Sequence, residues 1–264
     1  MRNTWAIYKR EMRAYFISPM AYALYVIFLL LSGFFFYSIV SMYSRYSMMA
    51  MQQRSMAGLP PFTEQVFRNL FGDMSIFLLL MVPLLTMRLF AEEKKMGTFE
   101  LLLAYPIRDI EVVLGKFLAA LSVILFMLGI TLVYPLLARY VAGDQVEFAA
   151  IMSGYLGVFL MGMAFTATGL FLSSLTENQI VAAVVAFGTL LLFWVVGWAQ
   201  QLAEGIQFFT VSLADILGQI SILNHFEDFS KGVIDTGHLS YYVLFSIFFV
   251  FLTLRVLDSN KWRG

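Results

Sequence analysis

The sequence predicts an all-α integral membrane protein with six transmembrane helices, and three observations predict it. Hydrophobic residues make up 61% of the 264 and charged residues 13%, against roughly 45–50% and about 25% in a soluble domain. The apolar residues also fall in long charge-free runs, close to the ~20 needed to cross a bilayer. An excess of that size has no place in one globular core, so lipid must cover it. Finally, the chain has no cysteine, which removes disulfides, thiolate catalysis and cysteine-zinc sites but leaves the redox compartment open. Basic and acidic residues number 17 each, so net charge gives no reason to expect nucleic acid as a partner.

The chain opens with Trp5, Tyr8, Met12 and Tyr15/Phe16 at helical spacing, with Arg2, Lys9, Arg10 and Arg13 around the rest of the wheel. Over residues 1–18 this is the pattern of an N-terminal interfacial helix in the inner headgroup layer. A basic topogenic flank accounts for it equally well. The charge-free run Ala14–Ser44 is too long for the ~7–15-residue core of a signal peptide. No small-residue cleavage site follows, so it is expected to stay as the first span.

The other charge-free runs are Met74–Met87, Phe117–Ala138, Phe148–Thr176, Asn178–Ala203 and Thr236–Leu254. The second is short, and reaches spanning length only with Asp73 and Arg88 at the two interfaces. Pro83 predicts a kink within it. With the N-terminus inside, twelve Lys and Arg fall on inner segments and five on outer ones. The positive-inside rule therefore puts both termini in the cytoplasm, as an even number of spans requires.

The first outer loop, about Ser41 to Gly72, carries Met42, Met48, Met49, Met51 and Met56 and then Gly58-Leu59-Pro60-Pro61. Thioethers can hold Cu(I), but methionine also packs adaptably at protein and lipid surfaces, and no His or Cys assists here. The outer stretch 200–238 keeps Phe208, Phe209, Ile216, Leu217, Ile220, Ile222 and Leu223. That spacing predicts outer-leaflet amphipathic helices before the last span. His225 and His238 both lie here, and without cysteine they point to hydrogen bonding sooner than to a metal.

By this reading the spans hold no ionisable residue away from their ends. Proton- and ion-coupled transporters keep such residues near the midplane for function, so that class is disfavoured, although carbonyls can still bind sodium. There is no His-Glu-x-x-His, no paired intramembrane Asp, no Gly-x-Ser-x-Gly and no Walker A sequence. Gly115-Lys116 is followed by Phe117, and Ile110 stands where the first Walker glycine would be. No metal or cofactor is expected on this chain, and any nucleotide hydrolysis must come from another.

The inner segment 91–110 is the informative one. Gly97 permits a sharp turn out of the second span. Thr98 fits an N-cap, with Glu100 in the first turn, and Pro106 stops that helix after about two turns. Asp109 is placed to cap the third span, with Glu111 behind it. Phe99 and Leu101, Leu102 and Leu103 are too apolar for a free loop and call for a partner surface or the lipid interface. In the second inner loop, Thr176 and Gln179 fit a capping box opening the fifth span. On the fourth span Gly154, Gly162, Thr166, Gly169 and Ser173 fall near one face, a candidate for close helix packing.

Glu92-Glu93-Lys94-Lys95-Met96-Gly97-Thr98-Phe99-Glu100-Leu101-Leu102-Leu103, then Pro106-Ile107 and Leu114-Gly115-Lys116, resembles the first inner loop of ABC transporter type-2 permeases. Ser173-Ser174-Leu175-Thr176-Glu177-Asn178-Gln179 resembles that family's second inner loop. His225 to Asp235 is similar to an outer segment of its gliding-motility and nitrous-oxide-reductase-maturation branch. Lys94-Lys95 departs from it, since an arginine is often found there. The resemblance covers essentially the whole chain and implies one permease domain over 1–264. It also implies a short cytoplasmic coupling helix docking on a separate ATPase, through Glu92, Glu93, Lys94, Gly97, Thr98, Phe99, Glu100, Leu101, Leu102, Leu103, Pro106 and Arg108. Two ATPase copies carrying ATP and Mg, a second permease chain (identical or a relative), membrane lipids and the inner membrane of the cell complete the expected setting. Export and force transmission both occur in the family. A non-transport scaffold that anchors a soluble partner would use the same apolar loop.

Overall fold

The computed structural model describes residues 2–52, 61–98, 107–143, 146–202, 207–208 and 211–261. The helices are α1 (Arg2–Ile17), α2 (Pro19–Gln52), α3 (Phe62–Thr86), α4 (Arg88–Lys95), α5 (Asp109–Thr131) and α6 (Val133–Ala142), followed by α7 (Phe148–Leu175), α8 (Gln179–Leu202), α9 (Leu213–Ile220), α10 (Ile222–Ser230) and α11 (Thr236–Lys261). Between α8 and α9, β1 (Gln207–Phe208) pairs antiparallel with β2 (Val211–Ser212). Six stretches are long and apolar enough to cross a membrane: α2, α3 with α4, α5 with α6, α7, α8 and α11. The chain is a multi-pass helical membrane protein.

Composition explains which helices are central. α7 is apolar or small all round its surface, as a helix wrapped on every side must be, and it packs against α3, α5, α8, α10, α11 and α4. The apolar window of α3 is 78% buried within the chain, whereas those of α2 and α8 are 28% and that of α11 is 22% buried. Those three are peripheral, presenting Leu30, Phe34, Val184, Leu192, Leu244 and Phe248 outward.

Glycines allow the close approach of α3 and α7. A Cβ on Gly154 would stand 2.0 Å from the Phe71 ring, and one on Gly169 2.1 Å from Thr86 Oγ1. Gly162 faces Ile124 of α5 and Leu78 of α3, and Thr166 is fully buried with its hydroxyl donating to Gly162 O. The small face therefore packs inside this chain.

Prolines set the breaks. Pro19 is the first residue of α2, where a missing N–H costs nothing. Pro135 cannot donate to the Thr131 carbonyl four residues back. The Tyr155 hydroxyl of α7 donates to that carbonyl instead, at 2.8 Å, and α5 gives way to α6 just there.

Four expectations need correcting. The second span is not a 14-residue run bounded by Asp73: α3 begins at Phe62, so Glu64, Arg68 and Asp73 lie on its helix. Charges do not end a helix when its buried face continues, and Val66, Phe67, Leu70 and Phe71 continue it. For the same reason the first outer loop is shorter than 41–72, since α2 runs to Gln52. Its Met56 and Gly58 to Pro60 lie outside the described residues.

The caps differ too. Asn178, not Thr176, opens α8, its Oδ1 accepting Ile180 N–H at 2.9 Å, while Thr176 Oγ1 accepts Asn178 N–H at 3.1 Å. Arg108, not Asp109, is the cap of α5, and Glu111 reaches back to accept the Arg108 N–H at 3.3 Å. At α8 an acceptor two positions further on reaches the free N–H groups, and at α5 it is the Glu111 carboxylate, reaching back, that accepts at the helix start.

Candidate functional site

The predicted contact residues surround the α4–α5 connection. Phe99, Glu100, Leu101, Leu102, Leu103 and Pro106 lie outside the described residues, but both anchors of that segment are defined. On one side α4 starts after the break at Met87, which leaves its first N–H groups without helical acceptors. Ser173, near the end of α7, supplies one: its Oγ accepts from Phe90 N–H at 3.1 Å and Ala91 N–H at 3.2 Å and donates to Met87 O at 2.9 Å. A serine more than eighty residues away thus acts as the N-cap of α4. Lys94 Nζ donates to Ser174 O at 2.6 Å, a second tie to α7.

α4 ends on Gly97, whose φ of +68° suits glycine best. Its N–H donates to Lys94 O at 3.1 Å, and Thr98 Oγ1 donates to Glu93 O at 3.3 Å.

Beneath this turn lies a buried ionic cluster. Lys116 of α5 is 1% exposed, and its Nζ lies 3.0 Å from Glu11 Oε1, 3.0 Å from Glu93 Oε1 and 2.6 Å from Leu89 O. It also sits over the Phe90 ring. Arg10 of α1 pairs with both carboxylates. Burial by itself would raise the Glu11 pKa, but Lys116 and then Arg10 outweigh it and hold the carboxyl below its ordinary value. Beside the cluster, Arg88 grips Glu92 through two bonds of 2.7 and 3.2 Å and donates to Ser18 Oγ at 2.9 Å.

The other anchor is the start of α5. There Glu111 takes Asn3 Nδ2–H at 3.0 Å as well as the Arg108 amide. α1 packs along the first half of α5, with Ile7 against Gly115 and Tyr8 donating to Ser122 Oγ at 3.1 Å. It therefore joins both anchors of the 99–106 segment.

The predicted residues thus separate by role. Glu92 and Glu93 are engaged inside the chain by Arg88, Arg10 and Lys116. Lys94 holds α7, Gly97 turns the backbone, and Arg108 caps α5. Sequence reasoning missed Lys116, Glu11, Arg10 and Ser173 as parts of one structure. The available signal was Lys116 itself, a basic residue two turns into the helix, past the acidic first turn of Asp109 and Glu111 and at the start of its apolar run, which asks for a buried partner.

At the opposite end, α10 packs its Phe229 on Gly157 of α7. His238 Nε2 lies 2.8 Å from Asp228 Oδ2, and His225 Nδ1 lies 2.8 Å from Ser221 O while its ring stacks on Tyr241. Tyr242 donates to Ile222 O at 2.8 Å, tying α11 to α10.

The described residues thus form a six-span bundle with a short helix pinned at the connection between its second and third spans. The chain belongs to the ABC-2 family of transporter proteins, whose family model matches residues 5–257. It is thus a permease subunit of an ABC transporter, and membership implies an ABC ATPase partner. The search of curated proteins returned no match.

Proposed function

We propose that this chain couples ATP hydrolysis on a separate ATPase to movement of its spans, with 97–106 as the contact that receives the ATPase motion. The observation that carries the reading is the double anchoring of that segment. α4 is capped by α7, and both α4 and the start of α5 are tied to α1, two of these ties running through the buried Lys116 cluster. A push on such a segment is passed to α1, α5 and α7 together, because packed elements with buried ionic contacts move as bodies.

In this reading two ATPase copies hold ATP and Mg, two permease chains meet across a central path, and the system exports a substrate or transmits force. The basic-residue excess on the inner segments supports both termini in the cytoplasm, and the family resemblance supports the inner membrane of the cell. A reporter after Gly264 should then be active only in a cytoplasmic form, and its export would reverse the topology. The outer-segment resemblance favours the gliding-motility and nitrous-oxide-reductase-maturation branch.

The test of coupling is Leu102→Asp and Leu103→Asp. A charge set against an apolar groove costs on the order of a few kcal/mol, so each variant should insert normally yet fail to retain the ATPase or to respond to ATP. Undiminished binding and activity in both variants would sink the coupling assignment and leave the segment as an anchor for some other partner.

A further inference from the structure

We propose that the cavity between α2, α3, α8 and α10 binds the positively charged group of an amphiphilic or lipophilic organic cation. The cavity holds about 710 Å³, within the range of about 300–1,000 Å³ of small-molecule sites. α3 forms its floor with Arg68, Gly72 and Asp73, and Trp194 and Trp198 of α8 form one wall. Ile39 and Met42 of α2 and Leu223 and Phe226 of α10 supply apolar surface. Asn69, Ser75, Asn224, Glu227 and Ser230 also line it, so its apolar and polar surfaces are of similar extent, as an amphiphilic ligand requires.

Charge decides the class of ligand. Arg68 is already engaged, 3.0 Å from Glu227 and 3.8 Å from Glu64, and Glu227 is also 2.9 Å from Lys231. Asp73 makes no hydrogen bond or ion pair among the described residues. It stands eleven positions past the start of α3, roughly 16 Å along the helix, on a stretch long and apolar enough to cross a membrane. A carboxylate so placed is costly, and such residues are kept where they meet a ligand or a partner charge. An anion would meet Asp73 with Arg68 already engaged by Glu64 and Glu227, whereas a cation would balance the carboxylate.

The aromatic wall fits the same ligand. Trp194 and Trp198 meet edge to face with centroids 5.0 Å apart, and indole faces attract cations more strongly than other rings do. Beside Asp73, a Cβ on Gly72 would meet nothing within 4 Å, so the floor is open at the carboxylate.

The proposal rests on the permease reading only in treating the bound cation as cargo; the binding itself needs neither ATP nor a partner. The test uses the purified full chain in nanodiscs of zwitterionic lipid, with tetraphenylphosphonium as probe and tetraphenylborate as its anionic counterpart of matching shape. Tetraphenylphosphonium should quench tryptophan fluorescence saturably, and Trp194→Phe/Trp198→Phe should remove that quenching. Asp73→Asn should weaken binding by about tenfold or more, while Asp73→Glu stays close to the parent and Gly72→Leu, which fills the floor, abolishes it. Equal affinity for the borate, or an Asp73→Asn protein that binds the phosphonium as the parent does, would overturn the site. Either result leaves the coupling reading standing, and failure of the Leu102 and Leu103 variants to alter ATPase retention would leave the cation site standing.

Discussion

Replacing Lys116 with Met should loosen the base on which α4 sits, and the structure sets the size of the effect. Glu11 Oε1 and Glu93 Oε1 both lie 3.0 Å from Lys116 Nζ, and Arg10 Nη2 lies 2.6 Å from the first and 2.5 Å from the second. The two oxygens can therefore be no more than about 5 Å apart. With Lys116 gone, two carboxylates at that distance repel by about 3 kcal/mol at an effective dielectric constant near 20. Arg10 remains but is half exposed, so water screens what it can return. Methionine refills the volume, and the Leu89 carbonyl loses its donor. The expected destabilisation of Lys116→Met is about 3 kcal/mol, at the low end of the ~3–5 kcal/mol for breaking a buried pair. Reversible unfolding of the purified chain in mixed detergent micelles would measure it. Lys116→Met with Glu11→Gln and Glu93→Gln removes the repulsion and should regain most of the loss. A single variant as stable as the parent, or a triple variant no better than the single, would refute the claim that buried charge ties α1, α4 and α5 together.

Three further outcomes follow from particular contacts. Ser173→Ala strips the acceptor from two buried N–H groups of α4 and should cost about 1–3 kcal/mol, with faster amide exchange confined to residues 88–95. Gly169→Ala places a Cβ 2.1 Å from Thr86 Oγ1 and should cost about 1–3 kcal/mol by overpacking. Gly188→Ala, with nothing within 4 Å, should be neutral in the same unfolding assay, and equal effects would deny the α3–α7 packing. Burial, and then the nearby His238, lower the His225 pKa against the opposing Ser221 carbonyl. The unfolded chain then takes up a proton before the folded one does, so stability is lost as pH falls below about 6.5. Protection of the 221–242 amides, taken relative to the intrinsic exchange rate at each pH, should fall between about pH 7.5 and 5.5 in the parent and not in His225→Phe; an identical response would remove His225 as the cause.

The sequence alone was enough for the class of the molecule. Runs such as Phe148–Thr176 and Asn178–Ala203 are too long and apolar for any setting but lipid, and this constraint acts within each segment, so no tertiary knowledge is needed. Gly97 was legible for the same reason, since it acts on its own backbone. The small residues of α7 were visible as a face, but not that Phe71 and Thr86 of α3 would occupy it.

Other features became visible only when distant segments met. The length of α3 was hidden because Glu64, Arg68 and Asp73 interrupt its hydropathy while Val66, Phe67, Leu70 and Phe71 keep its buried face intact. Ser173 looks like one more small residue until it caps a helix more than eighty residues earlier. Lys116 looks like a basic residue of the inner flank until Glu11 and Glu93 close around it, and Asp73 looks like an interface charge until α2, α8 and α10 wall it in. Hydropathy is a sum over neighbours in the chain, and it fixes which segments enter the membrane. Ion pairing, capping and cavity formation depend on distances of a few ångströms between residues far apart in sequence, and only the packed bundle decides those.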